Sequence, residues 1–138
     1  MNADEIVSKW EEDCKIDTAN LSYEIQRNVN LYSFYLELYL KAKVKKRKAQ
    51  CNLEKVDDFQ TNYLKGRVPV DGKLYPYKLM ADELKIAKKV NNDYQNAMNK
   101  YEAADIEVDV VSRILDQIKQ RSFELKSLLE IRKLEAGE

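Results

Sequence analysis

Histidine is missing from all 138 residues. That removes the commonest general base, the commonest zinc ligand and every histidine-based triad. Glycine is nearly as scarce. Gly66, Gly72 and Gly137 are the only three, and none opens a GxxxxGK[ST] or GxGxxG phosphate cradle. Proline occurs twice, at Pro69 and Pro76. So few turn formers exclude a β-sandwich. Cys14 and Cys51 form no CxxC, which argues against a zinc ribbon or redox pair. Isolated cysteines suit a reducing compartment. The N-terminus, Met1-Asn2-Ala3-Asp4-Glu5, is polar and acidic and is not a signal peptide. The most apolar run, Leu31 to Leu40, contains Ser33 and Glu37 and stops at Lys41, too short and polar to span a bilayer. Charge of either sign is not in excess: 24 Lys and Arg balance 24 Asp and Glu. A uniformly basic coat or an acidic tail is therefore disfavoured, but a local patch is not. Only carboxylate chemistry survives these exclusions, and we expect no enzyme, no metal and no cofactor.

What remains is helical. The apolar fraction of 44% argues against disorder, and the charged fraction of 35% suits long solvated helices. Asn2 followed by Glu5 reads as an N-cap with a capping box. Ile6, Val7, Trp10 and Cys14 then recur at helical spacing, giving a short helix over roughly 3–15. Asp17-Thr18 is the next cap candidate. Beyond it Leu21, Ile25, Val29, Tyr32, Leu36, Tyr39 and Leu40 hold one face, and no Gly or Pro interrupts residues 18–65. This predicts one helix of about 45 residues and about 70 Å. On that face Tyr32 and Tyr39 are core candidates. A rod of this length must pair with another rod or with other chains.

Residues 66–76 hold two of the three glycines and both prolines. Asp71-Gly72 is a favoured type I′ dipeptide, flanked by Val68 and Val70, so a small β-hairpin or loop forms the bend. Helix resumes near Met80, with a weak break at Asn91-Asn92-Asp93. From Tyr94 two apolar seams run side by side. One holds Met98, Tyr101, Val108, Val111, Leu115, Ile118, Leu125 and Leu129; the other holds Val110, Ile114, Leu128 and Ile131. Two seams exceed what one partner helix buries. One serves an antiparallel intrachain hairpin and the other serves neighbouring subunits, unless a single wide face is buried within a monomeric bundle. Phe123, Leu125, Leu128, Leu129 and Ile131 are the candidate subunit interface. Gly137 terminates the last helix. The fold class is all-α, in a single domain over 1–138.

The balanced charge is segregated. Residues 41–55 carry Lys41, Lys43, Lys45, Lys46, Arg47, Lys48 and Lys55 against Glu54 alone, a local +6. Lys41, Lys45, Lys48 and Lys55 share one narrow arc of the helix. Cations spaced along a rod match a phosphate backbone. The competing reading is a solvated face paired with the acidic stretch Glu102, Asp105, Glu107 and Asp109. Of the nine tyrosines, Tyr23, Tyr32, Tyr35 and Tyr39 precede the basic run. Aromatics beside cations can stack exposed bases.

The stretches Leu21-Ser22-Tyr23 and Asn28-Val29-Asn30-Leu31-Tyr32-Ser33 resemble the start of the long helix in the UvsY-type recombination mediators of tailed phages. The C-terminal run is similar too: Leu115-Asp116-Gln117-Ile118-Lys119, Arg121-Ser122-Phe123-Glu124-Leu125-Lys126 and Ile131-Arg132-Lys133-Leu134-Glu135-Ala136-Gly137. Gly66-Arg67 falls at the family's post-helix turn. The resemblance spans essentially the whole chain and is vaguest over 70–100. It implies a non-catalytic mediator that binds single-stranded DNA and forms ring-shaped homo-oligomers of about six or seven subunits. It also implies help in loading a RecA-like phage recombinase onto DNA coated by the phage single-strand-binding protein, in the host cytoplasm. The family ties its C-terminal helix to oligomerisation.

One tract departs from the family. Where UvsY-type proteins carry a basic Leu-Lys-Ala-Arg-Leu-Asp-Tyr tract linked to DNA binding, this chain has Asp57-Asp58-Phe59-Gln60-Thr61-Asn62-Tyr63. Only the tyrosine is kept. The DNA-binding cations are therefore sought at Lys41, Lys43, Lys45, Lys46, Arg47 and Lys48, with Lys65 and Arg67 beyond. The alternative is a coiled-coil scaffold whose charge runs are intramolecular ion pairs and which binds no nucleic acid. A membrane-surface role for the basic block lacks an adjoining apolar anchor.

Overall fold

The computed structural model describes residues 1–137. Four helices follow in order: α1 (Ala3–Asp13), α2 (Leu21–Leu64), α3 (Ala81–Lys89) and α4 (Asn92–Glu135). Asn2 caps α1 as its sequence announces, its Oδ1 accepting from the Glu5 amide at 2.9 Å. The cap of α2 differs from expectation. Asp17 closes a local turn onto the Ala19 amide, and Asn20 is the residue that accepts from the Tyr23 amide as the helix begins. Asn91 caps α4 through the Tyr94 amide at 3.0 Å, so the expected break between the last two helices is a fresh N-cap.

The chain divides into two compact units. The first comprises residues 1–43 and 106–138. Here the first half of α2 packs on the second half of α4, and α1 closes over both. Ile6 and Trp10 of α1, Leu31 and Tyr35 of α2, and Val111, Ile114, Leu115 and Ile118 of α4 form its core. The Trp10 and Tyr35 rings meet edge to face at 5.5 Å. Trp10 Nε1 donates to Gln117 Oε1, and the Tyr35 hydroxyl donates to Asp13 Oδ2 at 2.8 Å.

The buried face of α2 corrects the sequence reading. Leu21, Glu24, Asn28, Leu31, Tyr35 and Ala42 are buried, and Leu38 packs against the core. This is a strict three-four alternation, the seam of an antiparallel coiled coil. Val29 is 66% exposed and Leu40 55% exposed. Tyr35 is in the core, whereas Tyr32 and Tyr39 only flank it. The apolar pattern misled because two seam positions are polar. Glu24 and Asn28 face Arg121 of α4, itself buried: Arg121 Nη1 donates to Asn28 Oδ1 at 2.7 Å, and Nη2 lies 3.5 Å from Glu24 Oε2. Asn28 Nδ2 donates to the Ile118 carbonyl. On α4 the seam runs Glu107, Val111, Ile114, Ile118, Arg121 and Leu125. It draws from both apolar seams read in the sequence, so those two are not segregated between intrachain and outward roles.

The second unit comprises residues 44–105. It pairs the second half of α2 with the first part of α4, again antiparallel, and adds the turn region and α3. Its buried side chains are few: Gln60, Leu64, Ala97 and Ala104. Lys88 of α3 reaches α2, with Nζ 2.9 Å from Asp57 Oδ1 and 3.3 Å from Thr61 Oγ1. The end of α2 is a Schellman motif. Gly66 takes a φ of +73°, its amide donates to the Tyr63 carbonyl, and the Arg67 amide donates to the Asn62 carbonyl. The expected hairpin is reduced to one bridge between Val70 and Lys73, turned by Asp71 and Gly72 at positive φ. Among the described residues no helix is long and apolar enough to cross a membrane.

Candidate nucleic-acid interface

The basic block lies on α2. Lys41 and Lys43 fall in the first unit; Lys45, Lys46, Arg47 and Lys48 fall in the second. All are exposed except Lys46, which is half-buried. Lys41, Lys43, Lys45 and Lys46 all have partners, and three of these contacts bear on availability. Lys46 Nζ lies 2.7 Å from Asp105 Oδ1, so the competing reading of the acidic stretch holds at this pair. Lys41 pairs with Glu37 one turn earlier at 3.0 Å, both side chains well exposed. Such a pair contributes little and yields readily to a phosphate. Lys43 Nζ sits 5.5 Å from the Tyr39 ring centroid. Arg47 and Lys48 are exposed, with no ion pair among the described residues.

Lys65 and Arg67 follow the helix end, where the Schellman turn redirects the chain and leaves both exposed. Arg67 Nη1 donates to Asn62 Oδ1 at 3.4 Å. The turn region also gathers three tyrosines that the sequence scatters. Tyr63 and Tyr75 ring centroids are 5.5 Å apart, and Tyr75 and Tyr77 5.6 Å. No spacing signal marks this cluster, because the fold of residues 66–80 brings it together. Residues 44–105 hold thirteen Lys and Arg against nine Asp and Glu, a net of +4. The other unit carries the matching −4, with eleven against fifteen.

The acidic departure at Asp57-Asp58 has a structural use. Asp57 anchors α3 through Lys88, while Asp58 and Phe59 face solvent. Of the interface candidates on α4, Leu125 is buried inside its own unit at 1% exposure. Phe123 (70%), Leu128 (37%) and Ile131 (53%) are exposed, and Leu129 is half-buried. An apolar stripe thus continues outward along the end of α4, joined by Leu134.

Exposed cations along α2 and exposed apolar residues at the C-terminal end of α4 mark this chain as an all-α helical scaffold. The chain belongs to the UvsY family, described as recombination, repair and ssDNA-binding proteins, whose family model matches residues 9–138. It is 26% identical over 138 residues to the recombination protein uvsY of Enterobacteria phage T4, covering 99% of each chain. Two crystal structures of the bacteriophage T4 recombination mediator protein UvsY share its fold. One, in lattice type II, gives a TM-score of 0.91 at 24% identity, covering 99% of this chain and 98% of the other. A second, in lattice type IV, gives 0.90 at 25% identity, with 97% and 99% covered.

Proposed function

We propose that residues 1–138 act as one mediator domain that binds single-stranded DNA and assembles into a ring of about six or seven subunits. In this reading the protein helps load a RecA-like phage recombinase onto DNA coated with single-strand-binding protein, and performs no chemistry itself. The observation that carries it is the run of exposed cations on α2, Lys41, Lys43, Lys45, Arg47 and Lys48, in a chain whose total charge is zero. Lys46, Lys65 and Arg67 extend that run. Each phosphate neutralised releases a counterion, so affinity falls with salt by about 0.7 in log–log slope per phosphate on a single strand. One subunit's block engages few phosphates. Repetition around a ring makes further engagement intramolecular, and effective concentration then raises affinity by orders of magnitude. Phe123, Leu128, Leu129 and Ile131, backed by Leu125, form the subunit interface.

Charge reversal tests the assignment. Replacing Lys41, Lys45 and Lys48 together with Glu should weaken oligonucleotide binding by about a hundredfold or more at low salt, read by fluorescence anisotropy, with helical content retained. Unchanged affinity would place the cation surface elsewhere. A second reading, a scaffold that binds no nucleic acid, is favoured by the Lys46–Asp105 and Lys41–Glu37 pairs. It predicts that neither the parent nor the variant binds at any salt.

A further inference from the structure

Beyond the end of α2 the second unit carries a groove of about 470 Å3 that the basic block does not include. Its floor is apolar, made by Leu64, which is buried, and Leu84, which is half-buried. Lys65, Arg67 and Lys78 stand around it, all exposed, and no carboxylate lines it. Tyr77 forms part of its wall with 70% of its surface open to solvent. That ring is supported by its neighbours. Tyr77 meets Tyr75 edge to face at an interplanar angle of 71°, and Tyr75 in turn meets Tyr63 of α2 at 66°.

Each feature selects for the same ligand. Three cations without a carboxylate favour a polyanion over a peptide of mixed charge. A groove of this size lies in the range of small-ligand pockets, about 300–1,000 Å3, and its apolar floor accepts a flat uncharged group. A ring that meets one neighbour edge to face and keeps 70% of its surface open has a face free for stacking, and every nucleobase offers a π-face without sequence preference. A duplex keeps its bases paired and stacked, so only a single strand can present one here. We propose that this groove is a base-stacking subsite for single-stranded DNA. Tyr77 stacks one unpaired base, Lys65, Arg67 and Lys78 hold the flanking phosphates, and Tyr75 and Tyr63 position the Tyr77 ring. The proposal rests on the single-strand-binding reading above and adds to it an interaction with the bases, where the α2 block engages phosphate alone.

The test separates bases from phosphates. Full-length protein is titrated against a labelled oligothymidine and against an abasic strand of equal length, across a salt series. The parent should prefer oligothymidine. Tyr77→Leu keeps an apolar side chain but removes the π-face. It should weaken binding to oligothymidine by about tenfold or more, the effect of losing one stacked base, and leave the abasic affinity and both salt slopes unchanged. Lys78→Gln should instead flatten the slope on both strands, by about 0.7 for each phosphate that Lys78 neutralises. Circular dichroism and light scattering on both variants should match the parent, as befits exposed positions. Equal affinity of Tyr77→Leu for oligothymidine, with parent binding intact, overturns the subsite and leaves the α2 surface standing. A change in assembly mass in that variant also overturns it, by making the groove a subunit interface. If the parent binds neither strand, the single-strand reading fails and the subsite with it.

Discussion

Tyr35 is fully buried between α1 and α4, yet its hydroxyl finds a carboxylate, Asp13 Oδ2, at 2.8 Å. Burial, and then the hydrogen bond and charge of Asp13, push its pKa well above the ordinary value of 10.0. The linkage sign follows. Because the folded pKa is raised, the stability Tyr35 contributes is whole below pH 10, the unfolded value, and is lost as pH climbs above it. Tyr35→Phe should lower stability at pH 8 by about 1 kcal/mol, the net worth of one hydrogen bond. It should also flatten the further loss between pH 10 and 11, read from urea midpoints at each pH. A parallel decline in both proteins would show that Tyr35 does not govern the alkaline limb. Arg121 obeys a different balance. Burial, and then the nearby Arg27 charge, lower its pKa, while Glu24 opposes them. Its Nε and Nη2 make no hydrogen bond, and its guanidinium lies 5.9 Å from the Trp10 ring centroid. Polar groups at coiled-coil seam positions fix register at a cost in stability. The Glu24–Asn28–Arg121 set fits that use, since a one-turn slip of α4 would part Arg121 from Asn28 and Glu24, and Glu24 would keep only Arg27 of its own helix.

At the scale of elements, the absence of Gly and Pro from long stretches made the helices legible. The cap at Asn2, the break at Asn91-Asn92-Asp93, the Asp71-Gly72 turn and the stop at Gly137 (φ +74°) completed their bounds, although that break proved to be an N-cap. Which face of α2 turns inward was not legible. Apolar spacing selected Val29 and Leu36, but Glu24 and Asn28 take the seam because α4 supplies them with partners 90 and more residues away. Long-range polar pairing leaves no local pattern. The same limit applies to the candidate site. The basic block could be read directly, whereas its pairing at Lys46, and the meeting of Tyr63, Tyr75 and Tyr77, depend on how distant segments pack. On α4, seam burial ends at Leu125 while apolar residues continue, which is why Leu128 and Ile131 stay exposed. A charge there should block any packing of that stripe on another chain. Leu128→Asp is expected to give smaller species by light scattering with unchanged helical content. A variant of parental mass would remove this stripe from the subunit interface.

For the molecule as a whole, a formal charge of zero conceals +4 on residues 44–105 and −4 on the rest. Total charge therefore gives no long-range attraction to DNA, and any attraction must come from local fields within about a Debye length, near 10 Å at about 0.1 M salt. Binding on such a surface should be steep in salt. It should also prefer a flexible strand, which can follow cations that a straight duplex meets only in part. The most direct test is anisotropy of a labelled single strand titrated with the protein from about 50 to about 300 mM salt, with a duplex of equal length alongside. Tight binding to the single strand is expected, with weaker binding to the duplex and a log–log slope of about −2 or steeper, the signature of about three or more phosphates. Salt-independent binding, or none at the lowest salt from a folded and assembled protein, would contradict single-strand binding through these cations.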